Sequence, residues 1–159
     1  MKLIDYLPKE CITVELEGES KEEVLANLVD LLVKGKVVDE EWKNGILESL
    51  KEREELGSTA IGYGVAIPHG KAPVISEIAL AVGISKKGVD FDSLDGKPVH
   101  LFFLLVASPS HATLYLKALA RISRFLRDSS FRDKLLKARS PQEVFEIIKE
   151  REEKEVPLK

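Results

Sequence analysis

One stretch of this chain has the residue types to handle a transferable group: Gly57-Ser58-Thr59-Ala60-Ile61-Gly62-Tyr63-Gly64-Val65-Ala66-Ile67-Pro68-His69-Gly70. It carries few charges and ends in a histidine. Gly57, Gly62, Gly64 and the Ser58-Thr59 hydroxyl pair interrupt what would otherwise be a strand, so backbone N–H groups here could close on a small anion. Pro68 stiffens the chain before His69, and Gly70 leaves the next backbone unit sterically open. A neutral imidazole, with an ordinary pKa near 6.5, has a lone pair that can take a phosphoryl group and release it again. The free nitrogen would be the one left over when its ring neighbour is fixed by a hydrogen bond. Phosphoryl oxygens need donors, and Arg53, Ser58, Thr59 and the loop N–H groups are the candidates. By itself Arg53 belongs to the run Lys51-Glu52-Arg53-Glu54-Glu55, which reads as a solvated helix end.

Competing chemistries lack their signatures. No H-x-H or H-E-x-x-H spacing occurs, and Cys11 is the only cysteine, so neither a zinc site nor a disulfide is expected. The glycines form neither a P-loop nor a dinucleotide turn, and the serines form no G-x-S-x-G elbow. Of the other histidines, His100 lies inside an apolar strand pattern and reads as a satisfied structural residue. His111 falls in the first turn of a later helix.

The rest of the chain has to position this stretch. At 159 residues with 44% hydrophobic content, it fits one domain with a single core. Its 24 basic and 27 acidic residues are interspersed, giving no basic stripe for nucleic acid. The longest apolar run, Leu101 to Ala107, is far below the roughly 20 residues of a membrane helix. No signal peptide pattern opens the chain, and the expected setting is the cytoplasm.

Ile12, Val14 and Leu16 alternate with polar residues, predicting a first strand. Ser20 and Glu23 form a capping box for a helix carrying Val24, Leu25, Leu28, Leu31 and Leu32 up to Gly35. Asp39 can cap a second helix with Trp42, Ile46, Leu47 and Leu50 on one face, running out at Arg53 to Glu55. After His69, residues 71–74 read as a loop and Ile78 to Ile84 as a buried strand. Lys86-Lys87-Gly88 reads as a turn, Val89 and Phe91 as a short edge segment, and Val99 to Val106 as the central strand. Ser108-Pro109 opens a third helix with Leu116, Leu119, Ile122 and Leu126 on its buried face. Ser129 or Ser130 caps a short fourth, and Ser140-Pro141-Gln142-Glu143 starts the last. The pattern predicts an α/β protein, a three-layer α/β/α sandwich with a central mixed sheet and helices on both faces. A domain is expected over 1–150, followed by a charged, frayed tail over 151–159.

Arg53-Glu54, Gly57-Ser58-Thr59, Ile61-Gly62, Gly64 and Ala66-Ile67-Pro68-His69-Gly70, followed by Val99 to Val106 and Leu116 to Leu126, resemble the IIA domain of the mannitol/fructose class of the bacterial phosphoenolpyruvate-dependent sugar phosphotransferase system. Within that class the chain is most similar to the nitrogen-regulatory IIA proteins. The resemblance implies a phosphotransferase component in which His69 accepts a phosphoryl group from a histidine phosphocarrier protein, stabilised by Arg53. The acceptor would be a IIB domain or a regulatory target, and no cofactor or metal is implied. It also implies a second histidine near the start of the helix after the central strand, at the position that Tyr115 holds in this chain, with His111 four residues earlier. His111 and Tyr115 therefore both stand for that role, one helical turn apart. Two functions share this chemistry: a sugar-system IIA component, and a regulatory binding protein whose phosphorylation state controls a kinase or an ion transporter. Nothing in the pattern opposes a homo-oligomer.

Overall fold

The structure is a computed structural model and describes residues 1–155. Its scaffold is one long antiparallel pair. Strands β5 (Ile78–Val89) and β6 (Val99–Ala107) run side by side from Ile78↔Ala107 to Val89↔Val99. Both are apolar on successive residues, and Ile78–Ser85 and Leu101–Ala107 are buried throughout, so layers cover both faces of the sheet. The other strands are short: β1 (Ile12–Thr13), β2 (Ala60–Gly62), β3 (Val65–Ala66) and β4 (His69–Lys71). The sheet order is β1-β5-β6-β3-β2, and β4 also pairs with β6 beyond the end of β3. β1 is parallel to β5, and β3 and β4 are parallel to β6, while β2–β3 and β5–β6 are antiparallel, so the sheet is mixed as expected.

Helices α1 (Lys21–Lys34) and α2 (Lys43–Glu55) pack on each other and against β5 and β4. Helices α3 (Ala112–Leu126) and α4 (Ser129–Lys137) pack on β6, and α5 (Pro141–Glu153) packs on α4 and β1. The caps follow local chemistry. Ser20 Oγ accepts from Glu23 N at 3.2 Å and Ser140 Oγ from Glu143 N at 3.1 Å, each satisfying a first-turn donor.

Several expectations are corrected. The first strand stops at Thr13 rather than reaching Leu16, although Leu16 N still donates to Ile84 O. Lys86-Lys87-Gly88 is no turn: β5 runs through it to Val89, and the register against β6 shifts between Ile84 and Val89 as in a bulge. Asp39 precedes a 3-10 turn, Glu40–Trp42, without a side-chain capping bond, and Trp42 is exposed. Asp128, not Ser129 or Ser130, caps α4 through Ser130 N. Residues 71–74 are not all loop, because Lys71 is the last residue of β4. Leu116 is exposed, so the buried face of α3 is Ala118, Ile122, Phe125 and Leu126.

The expected frayed tail from Arg151 is also corrected, since α5 continues to Glu153. Glu152 is buried and accepts from Leu3 N at 2.7 Å, Ile4 N at 3.0 Å and Arg121 Nη1 at 3.0 Å. The remainder of that predicted tail, 156–159, lies outside the described residues.

Candidate functional site

The site forms where α2 crosses the start of β4. Gly70 faces Ser49 on α2, and a Cβ at Gly70 would stand 2.8 Å from Ser49 Oγ and 3.3 Å from Leu50 Cδ2. Absence of that carbon lets the helix lie on the strand, and Ser49 Oγ accepts from Lys71 N at 3.1 Å. Arg53 is one helical turn beyond Ser49, on the same face. Its side chain therefore arrives beside His69. The sequence reading of Gly70, as an opening for the histidine, gives way to this helix contact.

His69 is the first residue of β4 and pairs with Leu105, with Pro68 O accepting from Leu105 N at 3.0 Å. It is thus held by a strand ladder, not by an irregular loop. The imidazole is half-buried, and both ring nitrogens are engaged. Nδ1 lies 2.6 Å from Ile67 O, and because a carbonyl can only accept, Nδ1 carries the proton. Nε2 is left with its lone pair and accepts from Arg53 Nε at 3.2 Å. Arg53 also donates from Nη1 to Gly57 O at 2.7 Å. Gly57 adopts φ +143°, a conformation side chains disfavour, so glycine is needed where the loop turns back to Arg53.

Burial is the main reason the His69 pKa is lowered from 6.5, and the charge of Arg53 pushes it the same way. The bond to Ile67 O and the charge of Glu54 oppose this. The net direction favours the neutral ring, the form with a nucleophilic nitrogen.

Tyr115, in the first turn of α3, is the aromatic neighbour of this ring, with centroids 6.0 Å apart and planes tilted by 57°. Burial raises the Tyr115 pKa above 10.0, and the charge of Arg53 works against that rise. His111, at the N-cap position of α3, hydrogen-bonds through Nδ1 to Ser110 Oγ at 3.2 Å. Its partner is thus in its own turn, while Tyr115 meets His69. His100 donates from Nδ1 to Ser85 O at 2.8 Å, in keeping with a structural role.

The two hydroxyl candidates are committed elsewhere. Ser58 Oγ donates to Phe91 O at 2.5 Å and accepts from Ala60 N at 3.1 Å. Thr59 is buried, and both its Oγ1 and its backbone N, the latter at 3.0 Å, donate to Glu54 Oε1. Gly62 and Gly64 flank Tyr63 in the tight β2–β3 turn, where Gly64 O accepts from His100 N and Leu101 N. The structure therefore gathers His69, Arg53 and Tyr115, while the side chains of Ser58, Thr59 and His111 bond to Phe91 O, Glu54 and Ser110. Sequence alone gives Glu54 no role, because it sits in a charge run beside Arg53, although its side chain is only 5% exposed.

Residues 5–151 match the family described as phosphoenolpyruvate-dependent sugar phosphotransferase system, EIIA 2. The chain belongs to this family. The EIIA 2 chain is 38% identical over 148 residues to a nitrogen regulatory protein of Bradyrhizobium diazoefficiens, covering 93% of this chain and 95% of that one. It is 35% identical over 143 residues to a fructose-specific EIIA component of Haloferax volcanii, covering 90% and 92%. The crystal structure of nitrogen regulatory protein IIA-Ntr from Neisseria meningitidis superposes with a TM-score of 0.84 at 31% identity, covering 92% of this chain and 98% of that one. The Escherichia coli enzyme IIAMTL, solved in complex with phosphorylated enzyme IIBMTL, shares the fold at a TM-score of 0.72 and 23% identity, covering 89% and 95%. EIIA components are carriers within a phosphotransferase system, and family membership assigns this chain to that class. Among the described residues no helix of this EIIA 2 chain is long and apolar enough to cross a membrane.

Proposed function

We propose that this protein carries a phosphoryl group on Nε2 of His69, taken from the phosphohistidine of a histidine phosphocarrier protein in the cytoplasm. The observation that carries the reading is the fixed tautomer: Nδ1–H is held by Ile67 O at 2.6 Å, and the lone pair lies on Nε2 beside Arg53. In the transfer, the Nε2 lone pair forms a bond to phosphorus as the donor's N–P bond breaks, and the donor imidazole keeps that electron pair. The Nδ1 proton stays in place, so the phosphorylated ring carries positive charge that Ile67 O stabilises. Arg53 Nε releases Nε2 and turns to a phosphoryl oxygen, while Nη1 stays anchored on Gly57 O. Tyr115 forms a wall of the pocket and offers a hydroxyl that stays protonated at neutral pH.

The onward acceptor is a IIB domain or a regulatory target. The mannitol IIA relative, captured with phosphorylated IIB, supports the first. Identity of 38% to a nitrogen regulatory protein supports the second, in which the −1.5 to −2 charge of the modification alters binding.

Incubation with phosphorylated phosphocarrier protein should give an acid-labile adduct whose phosphorus resonance is that of Nε2-phosphohistidine. His69→Ala should abolish it. Labelling that persists in that variant, or an Nδ1 adduct, overturns the reading. Adding an isolated IIB domain then separates the two acceptors by whether the label moves.

A further inference from the structure

We propose that Glu54 is a positioning residue for His69, its buried carboxylate closing a circuit of hydrogen bonds that sets both ring nitrogens at once. The inference rests on the carrier reading for its consequence, but its geometry stands independently. On one side of the imidazole, Nδ1 donates to Ile67 O at 2.6 Å, and Ile67 N in turn donates to Thr59 O at 3.0 Å. Thr59 then donates to Glu54 Oε1 through N, at 3.0 Å, and through Oγ1. On the other side, Nε2 accepts from Arg53, the residue covalently next to Glu54 on α2. One carboxylate thereby joins the strand that orients Nδ1 to the helix end that supplies the partner of Nε2. A cross-strut lies inside the circuit: Gly57 N donates to Glu54 O at 3.1 Å, and Gly57 O holds Arg53 Nη1 at 2.7 Å.

A carboxylate suits this place better than a neutral group of the same shape. Oε1 takes two donors from Thr59 while Oε2 faces Lys21 Nζ at 3.1 Å. Lys21 Nζ also lies 3.0 Å from Asp92 Oδ2, so the ammonium is held from a second direction. An amide at position 54 could satisfy Thr59 only by turning its N–H groups toward the Lys21 ammonium, or Lys21 only by presenting them to the Thr59 donors. Either choice strains the circuit. A role limited to filling space would tolerate the isosteric amide.

The test uses Glu54→Gln, Thr59→Val and Thr59→Ser in the full chain, with two readouts. The first is the pair of ring nitrogen chemical shifts of His69 in the unphosphorylated protein, which report tautomer and hydrogen bonding without needing any transfer. The second is kcat and KM with phosphorylated phosphocarrier protein as donor. Glu54→Gln and Thr59→Val should mix the tautomers and lower kcat about 10- to 100-fold with donor KM unchanged, as expected when a reacting atom is displaced by a fraction of an ångström to an ångström. Thr59→Ser, which restores the hydroxyl donor, should return both readouts to wild type. Folded variants with wild-type ring shifts, or a kcat loss without a shift change, overturn the proposal. If Glu54→Gln does not fold, Thr59→Val decides on the same criteria. Ring shifts that respond in a protein that never accepts a phosphoryl group would leave the circuit standing and remove the carrier reading instead.

Discussion

Arg53 donates to the same His69 nitrogen, Nε2, that carries the ring's lone pair, at 3.2 Å. In the proposed transfer, the guanidinium that would neutralise an incoming phosphoryl group therefore covers the nitrogen that would attack it until that group arrives. Its anchor on Gly57 O at 2.7 Å allows the Nε end to change partner without the side chain leaving the site.

Replacing Arg53 by Ala should slow phosphoryl acceptance about 100-fold, the scale seen when one preorganised donor to a developing anion is lost. The fold should survive, because Arg53 is half-exposed and its bonds are confined to His69 and Gly57. Arg53→Ala should also raise the His69 pKa, since the removed charge helped to lower it. Stopped-flow transfer kinetics and an imidazole titration by NMR check the two statements separately. An unchanged rate would remove Arg53 from the mechanism.

The pH dependence follows from the lowered His69 pKa. In the folded protein the ring stays neutral below its ordinary 6.5, so acceptance should hold its plateau on the acid side of that value and decline only as the folded pKa is crossed. Stability has the same sign. Between the folded and unfolded pKa values the unfolded chain binds more protons, so unfolding free energy rises with pH. The stability tied to the neutral ring is complete above 6.5 and is lost as pH falls through the folded pKa. Urea melts of wild type and His69→Gln across that interval should converge at acid pH. A parallel pair of curves would contradict the sign.

Tyr115 and His111 can be told apart by their contacts. Tyr115→Phe should keep the ring against His69 and remove one hydroxyl, slowing transfer about 3- to 10-fold, the equivalent of the ~0.5–1.5 kcal/mol of a single hydrogen bond. His111→Ala breaks only the bond to Ser110 and should leave transfer kinetics unchanged. The opposite ranking, measured under the same donor conditions, would move the auxiliary role from Tyr115 to His111.

Gly70→Ala should do harm in proportion to a steric overlap, because the new Cβ would sit 2.8 Å from Ser49 Oγ. Overpacking of this kind costs about 1–3 kcal/mol, and here the strain pushes α2, with Arg53, off β4. A lowered Tm together with slower transfer is expected. Adding Ser49→Ala, which deletes the nearest atom, should recover part of both. A Gly70→Ala protein with wild-type melting would show that the helix has more room than the structure gives it.

Much of the architecture was legible because period-two and helical patterns are strong in this chain: the alternation at Ile12, the capping boxes at Ser20 and Ser140, and the doubly apolar run ending at Ala107 each correspond to an element. The errors share a cause. Lys86-Lys87-Gly88 has turn composition, yet the long ladder with β6 carries β5 through it as a bulge. Leu116 has the right helical spacing but is 62% exposed, since α3 turns its Ala118–Ile122–Phe125 side to the sheet. His69 stood out by its neighbours. Arg53 is singled out only by family resemblance, and Glu54, beside it in that motif, is given no role, because a charge run gives no sign of which member is buried. Burial of that kind is fixed by contacts outside the helix: Thr59, just past its end, and Lys21 on α1.

The Glu152 carboxylate, held by Leu3 N, Ile4 N and Arg121, ties the 3-10 turn Leu3–Tyr6 to α5, and elements joined in this way are expected to open together. Hydrogen exchange at the amides of Leu3 and Ile4 should therefore follow that of α5. Because Arg121 lies on α3, an excursion that frees Glu152 also releases the ion pair tying α5 to the helix on which Tyr115 stands beside His69.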